Sequence, residues 1–306
     1  MRTIISFLFA LTTFTAQAAG MGYDDARHLL ARTGFAPTEL DVQTYAKLTR
    51  AQAVDKLLSE TRREAQTPAP SWVNEPPASM RDIKRLPDEE KKALLRQQIE
   101  RGVEMRGWWF QEMLATPTPL TERMTLFWHN HFVSSQQKVK SAQMMYRQHV
   151  LLRRYALGNF GELLHAVSKD PAMIVYLDNA SNRRGQPNEN FAREVMELFT
   201  LGVGQYTEQD IQEAARAFTG WSLDRSSGDF RFYRLLHDGG AKTVLGRSGD
   251  FDGDAVLDIL LAQPQTAEFI SAKLWREFAS PDPDVKEVQR LARILREARY
   301  EMKPLL

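Results

Sequence analysis

From Asp24 to Tyr300 apolar residues recur at three- and four-residue intervals, and strand-like alternation is confined to a single stretch between Trp221 and Phe251. A 3.6-residue period buries one stripe of a helix, whereas a strand needs a period of two. The pattern therefore predicts an all-α class: a large irregular multi-helix domain with one small β-hairpin excursion around 221–251. Helices are predicted over 24–32, 37–47, 53–63, 87–114, 119–133, 140–157, 160–168, 188–201, 208–219, 254–262, 265–279 and 284–300. Glycine or proline stands at nearly every junction, and Thr49 with Gln52 has the spacing of a capping box. Four prolines between 65 and 80 predict a surface loop there. In the long helix, Asp88 and Lys92 are spaced for an i, i+4 ion pair on a solvated face.

The first residues fall outside this pattern. Arg2, an apolar run from Ile4 to Phe14 and the small-x-small site Ala16-Gln17-Ala18 make residues 1–18 a secretory signal peptide. The run is too short for a hydrocarbon layer, which needs about 20 residues. Residues 19–306 are then expected to form a single periplasmic or secreted helical domain with no membrane span. None of the 306 residues is cysteine, which excludes disulfides, thiolate metal sites and a thiol nucleophile together. Forty Lys and Arg stand against 39 Asp and Glu, and loss of Arg2 with the leader takes 40 − 39 to 39 − 39. No global charge excess points to nucleic acid as a partner.

Two segments concentrate polar groups. In Arg123 to Phe132 the histidines His129 and His131 diverge by about 200° on a helix, so they are not placed to share one metal ion. His131 falls with Met124, Phe127 and Trp128 and is expected to face the core. In 188–202, Asn188 is a natural N-cap, Gly202 a natural C-cap, and Phe191, Val195, Leu198 and Phe199 form an apolar stripe. Asn190, Glu194 and Glu197 line the edge of that stripe. Buried or half-buried carboxylates demand pairing, coordination or hydrogen bonds. Three arrangements satisfy them: ion pairing of Glu189 or Glu197 with Arg193, a divalent metal held by His131, Glu194 and Glu197, or an acid/base carboxylate pair.

His237, Asp238 and Lys242 lie in the irregular excursion, where backbone approaches a ligand closely or where Asp238 simply caps a turn. Asp250, Asp252 and Asp254 resemble a calcium loop, but Ala255 and Leu261 stand where that loop needs glycine and glutamate, so a helix N-cap is the better reading. The chain holds no H-E-x-x-H, G-x-S-x-G or Walker loop. The run from Gly202 to Thr207 follows a helix and departs from the dinucleotide fingerprint.

Several phrases taken together, Arg27 to Phe35, Phe127-Trp-His-Asn-His-Phe132, Pro187-Asn-Glu-Asn-Phe-Ala-Arg-Glu194 continuing to Gly202, Ala217 to Trp221, and His237-Asp-Gly-Gly-Ala-Lys-Thr243, resemble the large bacterial family catalogued as domain of unknown function 1800. The likeness covers about residues 22–306. It implies an exported protein with no established activity, working beside an exported sulfatase-like partner. Members of that family are usually longer, so the resemblance also implies a C-terminally truncated chain. Pro304-Leu305-Leu306 reads as the opening of a further helix, and the C-terminal edge is expected to show an apolar patch. Two functions are compatible with these features. One is a metal-assisted or acid/base envelope hydrolase, with His131, Glu194 and Glu197 at its centre, Arg193 as orienter or anion clamp, and Asn188, Asn190, His237, Asp238 and Lys242 as substrate contacts. The other is a non-catalytic envelope assembly or binding module whose buried polar groups hold its packing.

Overall fold

Many of the helices begin where a side chain answers their first free amides. In this computed structural model, which describes residues 19–76 and 80–306, Thr38, Thr49 and Thr207 each close a capping box with Asp41, Gln52 and Asp210. Asn159, Asp170, Asp252 and Asp284 accept from an amide one turn on. The leader expected over 1–18 lies outside the described residues.

The chain starts with α1 (Tyr23–Thr33), α2 (Glu39–Ala46) and α3 (Arg50–Ser59), followed by α4 (Met80–Arg85) and the long α5 (Asp88–Ala115). Next come α6 (Pro119–His131), α7 (Gln136–Val139), α8 (Ala142–Arg154), α9 (Phe160–Ser168) and α10 (Pro171–Tyr176). Then α11 (Glu189–Glu194) passes directly into a π-helical turn, Val195–Thr200, and α12 (Glu208–Ala217) comes after it. The excursion holds β1 (Trp221–Leu223), β2 (Phe230–Phe232), β3 (Lys242–Val244) and β4 (Arg247–Gly249); α13 (Gly253–Leu261), α14 (Pro264–Phe278) and α15 (Val285–Glu297) close the chain. Among the described residues no helix is long and apolar enough to cross a membrane.

One continuous core joins α1 to the chain's end. Its middle is a pile of rings: Trp128, Phe132 and Phe160 are fully buried, with Trp128 5.8 Å from Phe132 and 5.6 Å from Phe160, and Phe132 meets Phe199 edge-on at 5.0 Å. A small satellite core forms around Trp72, Val73, Met105 and Ala142. The proline-rich 65–76 segment is therefore anchored rather than loose, and the Trp72 indole donates to Glu104 at 2.7 Å.

The mostly helical fold with a small β element is as expected, and the differences have physical causes. The excursion contains two antiparallel hairpins: Trp221 pairs with Phe232 in the first and Lys242 with Gly249 in the second. α10, only six residues long, has no counterpart among the helices expected from periodicity. In α5, Lys92 reaches Glu89 and Lys91 reaches Asp88, both at i, i+3, in place of an Asp88–Lys92 pair. The largest departure is the π turn: Leu201 N–H donates to Met196 O, five residues back. Widening the helix there rotates the residues beyond it, so Leu198 leaves the apolar stripe and is 42% exposed while Phe191, Val195 and Phe199 stay buried. At the end, Pro304 opens only a short 3₁₀ turn, Lys303–Leu305, anchored by buried Met302. Leu305 and Leu306 line an apolar cleft of about 560 Å³ with Leu57, Leu274 and Phe278.

α9 is tied to α13 by a titratable clasp. His165 lies 2.9 Å from Asp254 and 3.1 Å from Asp258, and Lys169 lies 2.6 Å from Asp254. The Asp254 hydrogen bond, outweighing burial and joined by Asp258, raises the histidine above its ordinary 6.5. The His165 and Lys169 contacts hold Asp254 below its ordinary 3.8 against burial. A raised histidine stabilises the fold fully below its unfolded pKa and loses that effect as pH rises through the folded one; a depressed aspartate loses its effect as pH falls. The clasp therefore contributes most between roughly pH 4 and 6.5, by about 1 kcal/mol or less, because its members are part-exposed. His165→Gln should flatten the melting temperature profile across pH 5 to 8, and an unchanged profile would contradict this account.

Candidate functional site

His131 is at the end of α6, buried at 3% exposure among Phe132, Phe199 and Phe269. Lys273 Nζ donates to its Nδ1 at 2.9 Å, since an ammonium has only donors. The proton is therefore on Nε2, which donates to Phe199 O at 3.1 Å. Burial, with Lys273 alongside, holds the ring well below its usual pKa and hence neutral. Burial also lowers Lys273 to about 8. Both ring nitrogens are thus occupied within the core.

The acidic groups expected beside this ring are used elsewhere. Glu197 accepts a short hydrogen bond from the Tyr206 hydroxyl. Glu194 is half-buried, and burial with the neighbouring Glu197 charge raises its carboxyl. Arg193 bridges Glu189 at 3.3 Å and Glu208 at 2.7 Å, so the pairing expected with Glu189 forms and the one with Glu197 does not. Among the described residues no group of three or more histidine, aspartate and glutamate side chains is placed to hold a metal ion. Of the expected ligand set His131, Glu194 and Glu197, the ring has both nitrogens engaged by Lys273 and Phe199 O, and Glu197 is engaged by Tyr206.

The excursion residues have local duties. Asp238 takes two bonds from Arg216, at 2.8 and 3.2 Å, and caps Gly240; Arg216 holds its carboxyl down to about 2. His237 Nδ1 lies 3.0 Å from Thr219 O. Lys242 is buried, donating to Gly240 O at 2.8 Å with Asp250 3.6 Å away. Asn190 donates to Leu177 O at 3.1 Å. Asp252 caps α13, which removes the calcium-loop resemblance.

An ionic cluster invisible in the sequence lies between α5, α6 and α8. Glu112, Glu122, His149 and Arg153 are all at most 3% exposed. Arg153 Nη1 is 2.5 Å from Glu122 Oε1, though off the hydrogen-bond axis, and Nη2 donates to Oε2 at 2.7 Å. Trp109 donates to the same Oε2 at 2.9 Å. Glu112 is 3.4 Å from Arg153 and accepts from the backbone amides of Gln66 and Thr67. Burial would raise Glu112, but Thr67, Gln66 and Arg153 hold it below its ordinary value. Arg153 also donates to His149 Nε2 at 3.4 Å, so His149 carries its proton on Nδ1 and donates to His129 Nε2 at 3.1 Å. Burial depresses both rings, His129 to about 4, so this relay is uncharged at neutral pH. These groups pair mainly with one another, leaving Glu122 Oε1 and Arg153 Nε without hydrogen bonds, and border neither the apolar cleft beside Leu305 nor the polar groove at the β1–β2 hairpin.

That groove is lined in part by Asn188 of the PNEN segment. The turn through 180–188 and the β1–β2 hairpin bound it, and its volume is about 1170 Å³. Arg85, Arg183, Arg225 and Arg231 line it, with Asn182, Asn188, Ser222, Ser226 and Tyr233. Its only lining carboxylate among the described residues, Asp224, accepts from Ser226 N at 2.9 Å, Ser227 N at 3.2 Å, the Ser226 hydroxyl and Arg231 at 2.6 Å. Those donors, the Ser226 hydroxyl first, keep it far below the usual carboxylate range. Arg183 donates to the neutral Gln186 amide oxygen at 2.6 Å, and no ion pair to a described residue engages it. Among the described lining residues, four arginines stand beside one aspartate, which is paired with Arg231.

Of the residues expected at a site, the groove takes in Asn188, whose Oδ1 caps α11 and whose Nδ2 donates to Asp178 O at 3.1 Å. Sequence reasoning passes over the arginines. The available signal is their density in the two bounding loops, at 183, 184, 225, 231 and 234.

No curated protein and no solved structure matches this chain. A model of one protein family matches residues 28–306, nearly the whole length. The chain belongs to that family, described as protein of unknown function (DUF1800).

Proposed function

We propose that this is an exported envelope protein that binds an extended anionic ligand, bearing sulfate, phosphate or carboxylate groups, in the arginine-lined groove. The observation that carries this reading is the gathering of arginine side chains, Arg85, Arg183 and Arg231 among them, around one open cleft. Guanidinium groups match such oxyanions in planar, two-pronged geometry, and serine and asparagine supply further neutral donors. The reading is of a binding module, not a hydrolase, because the one carboxylate among the described lining residues is saturated with donors and no histidine is among them. General acid or base work needs a group that titrates near the working pH. A sulfatase-like exported partner suits the same chemistry, since it would act on ester groups of the polymer held here.

Calorimetry with dextran sulfate oligomers, set against neutral dextran of equal length, tests the groove. Binding is expected for the sulfated probe alone and should weaken as salt rises. Arg183→Ala and Arg231→Ala should each weaken it by about tenfold, near 1.4 kcal/mol. Equal binding of neutral dextran, or indifference to both variants, would sink the proposal. Export is tested separately: N-terminal sequencing of protein from a periplasmic extract should begin after Ala18, and an intact Met1 in the cytoplasmic fraction would refute it.

A further inference from the structure

Among the described residues, the longest helix carries a face left exposed. On α5, Leu95, Ile99, Val103, Phe110 and Leu114 are 46%, 55%, 55%, 64% and 71% exposed. At 100° per residue all five fall within about 100° of arc, along about 28 Å of helix axis. Gln98, Met105, Trp108 and Glu112, on the other side, are buried in the protein. Single exposed apolar side chains carry no message, but a contiguous stripe of this length is a surface that another surface covers.

The spacing of the stripe indicates what that surface is. Arg106 falls in the same arc, so positions 95, 99, 103, 106, 110 and 114 are 4, 4, 3, 4 and 4 residues apart and read identically from either end. A two-fold axis across an antiparallel helix pair requires that kind of palindrome. We propose that a second copy of this chain docks on α5, forming an isologous antiparallel dimer in which residue i faces residue 209 − i. Leu95 then meets the partner's Leu114, Ile99 meets the partner's Phe110, and Val103 meets the aliphatic stem of the partner's Arg106. The Arg106 guanidinium reaches toward the partner's Glu100, one turn from its Val103, which supplies charge complementarity at the rim. Gly107, where a side chain would meet nothing within 4 Å, leaves room for the two backbones to approach. A stripe about 28 Å long and about 10 Å wide offers roughly 300 Å² of apolar area, less than the roughly 800 Å² per partner of a standard interface. The dimer is therefore weak, dissociating in the micromolar range.

The absence of cysteine makes a direct test simple. Leu95→Cys and Leu114→Cys, mixed and treated with a short bismaleimide, should give a cross-linked dimer. Neither variant alone should, because two copies of one thiol would stand about 28 Å apart in the antiparallel register. Sedimentation of the cysteine-free chain should show a dimer fraction growing up to about 200 µM, and Ile99→Glu or Phe110→Glu should raise the dissociation constant at least about tenfold with melting temperature unchanged. Cross-linking of either variant alone, no cross-link in the mixture, a monomer throughout the concentration range, or a monomer that binds anionic vesicles through Phe110 would each overturn the proposal.

Discussion

Replacing Arg153 by Met should lower the free energy of unfolding by about 3–5 kcal/mol, the usual cost of stranding a buried charge. Methionine keeps most of the side chain's bulk, so the loss reads electrostatics more than packing. Glu122 is fully buried and would keep only the Trp109 indole as a donor, whereas Glu112 would retain the Gln66 and Thr67 amides. Adding Glu122→Gln to Arg153→Met should therefore recover at least about half of the deficit, because the uncompensated charge is removed. Burial already raises the Glu122 carboxyl against the pull of Arg153 and Trp109. Without Arg153 it rises further, so the deficit should shrink as pH falls toward 4. Urea titrations of the three proteins at pH 7 and pH 4.5 measure all of this. A single-variant loss under about 1 kcal/mol would mean that the cluster is not an ion pair in the folded protein.

Gly220→Ala should cost about 2–4 kcal/mol and remove binding to the dextran sulfate probe. Gly220 has φ of +82°, and a Cβ there would come within 2.7 Å of Tyr233 O and 3.2 Å of His237 N. Left-handed backbone costs an alanine about 1 kcal/mol, and overlap with backbone atoms adds about 1–3. The position matters because Gly220 is the hinge of the excursion: its N–H donates to Asn182 O at 3.1 Å, and its O accepts from Tyr233 N at 2.8 Å. Displacing it separates the 180–188 turn from the hairpin, the two walls of the groove. The melting temperature and the calorimetric titration should fall together; full probe affinity in a destabilised variant would show that the groove does not depend on this hinge.

The Phe218-Thr-Gly-Trp221 phrase, in sequence only one part of a family likeness, thus acquires a mechanical reason, as does Asn188 at the head of α11. The burial of His131 is also legible, because a helical wheel needs only residue spacing. Its partners are not: Lys273 is 142 residues away, and the other contact is a backbone carbonyl that no side-chain pattern reports. Glu194 and Glu197 are half-buried, as an edge position requires, but placing Leu198 in the stripe assumes 100° per residue through position 200. The π turn breaks that assumption, and nothing in the run Val195 to Thr200 announces it.

The sequence alone determined most of the longer helices, a few of their caps, the place of the excursion and the kinship, since periodicity and capping act over three to five residues and remain readable in one dimension. Only the tertiary structure decided which charges meet. Arg153 finds Glu112 and Glu122 across 41 and 31 residues, and the groove gathers arginines from a short helix, a turn and a hairpin. Ion pairs and clefts are made by side chains brought together in space, and such meetings carry no period along the chain.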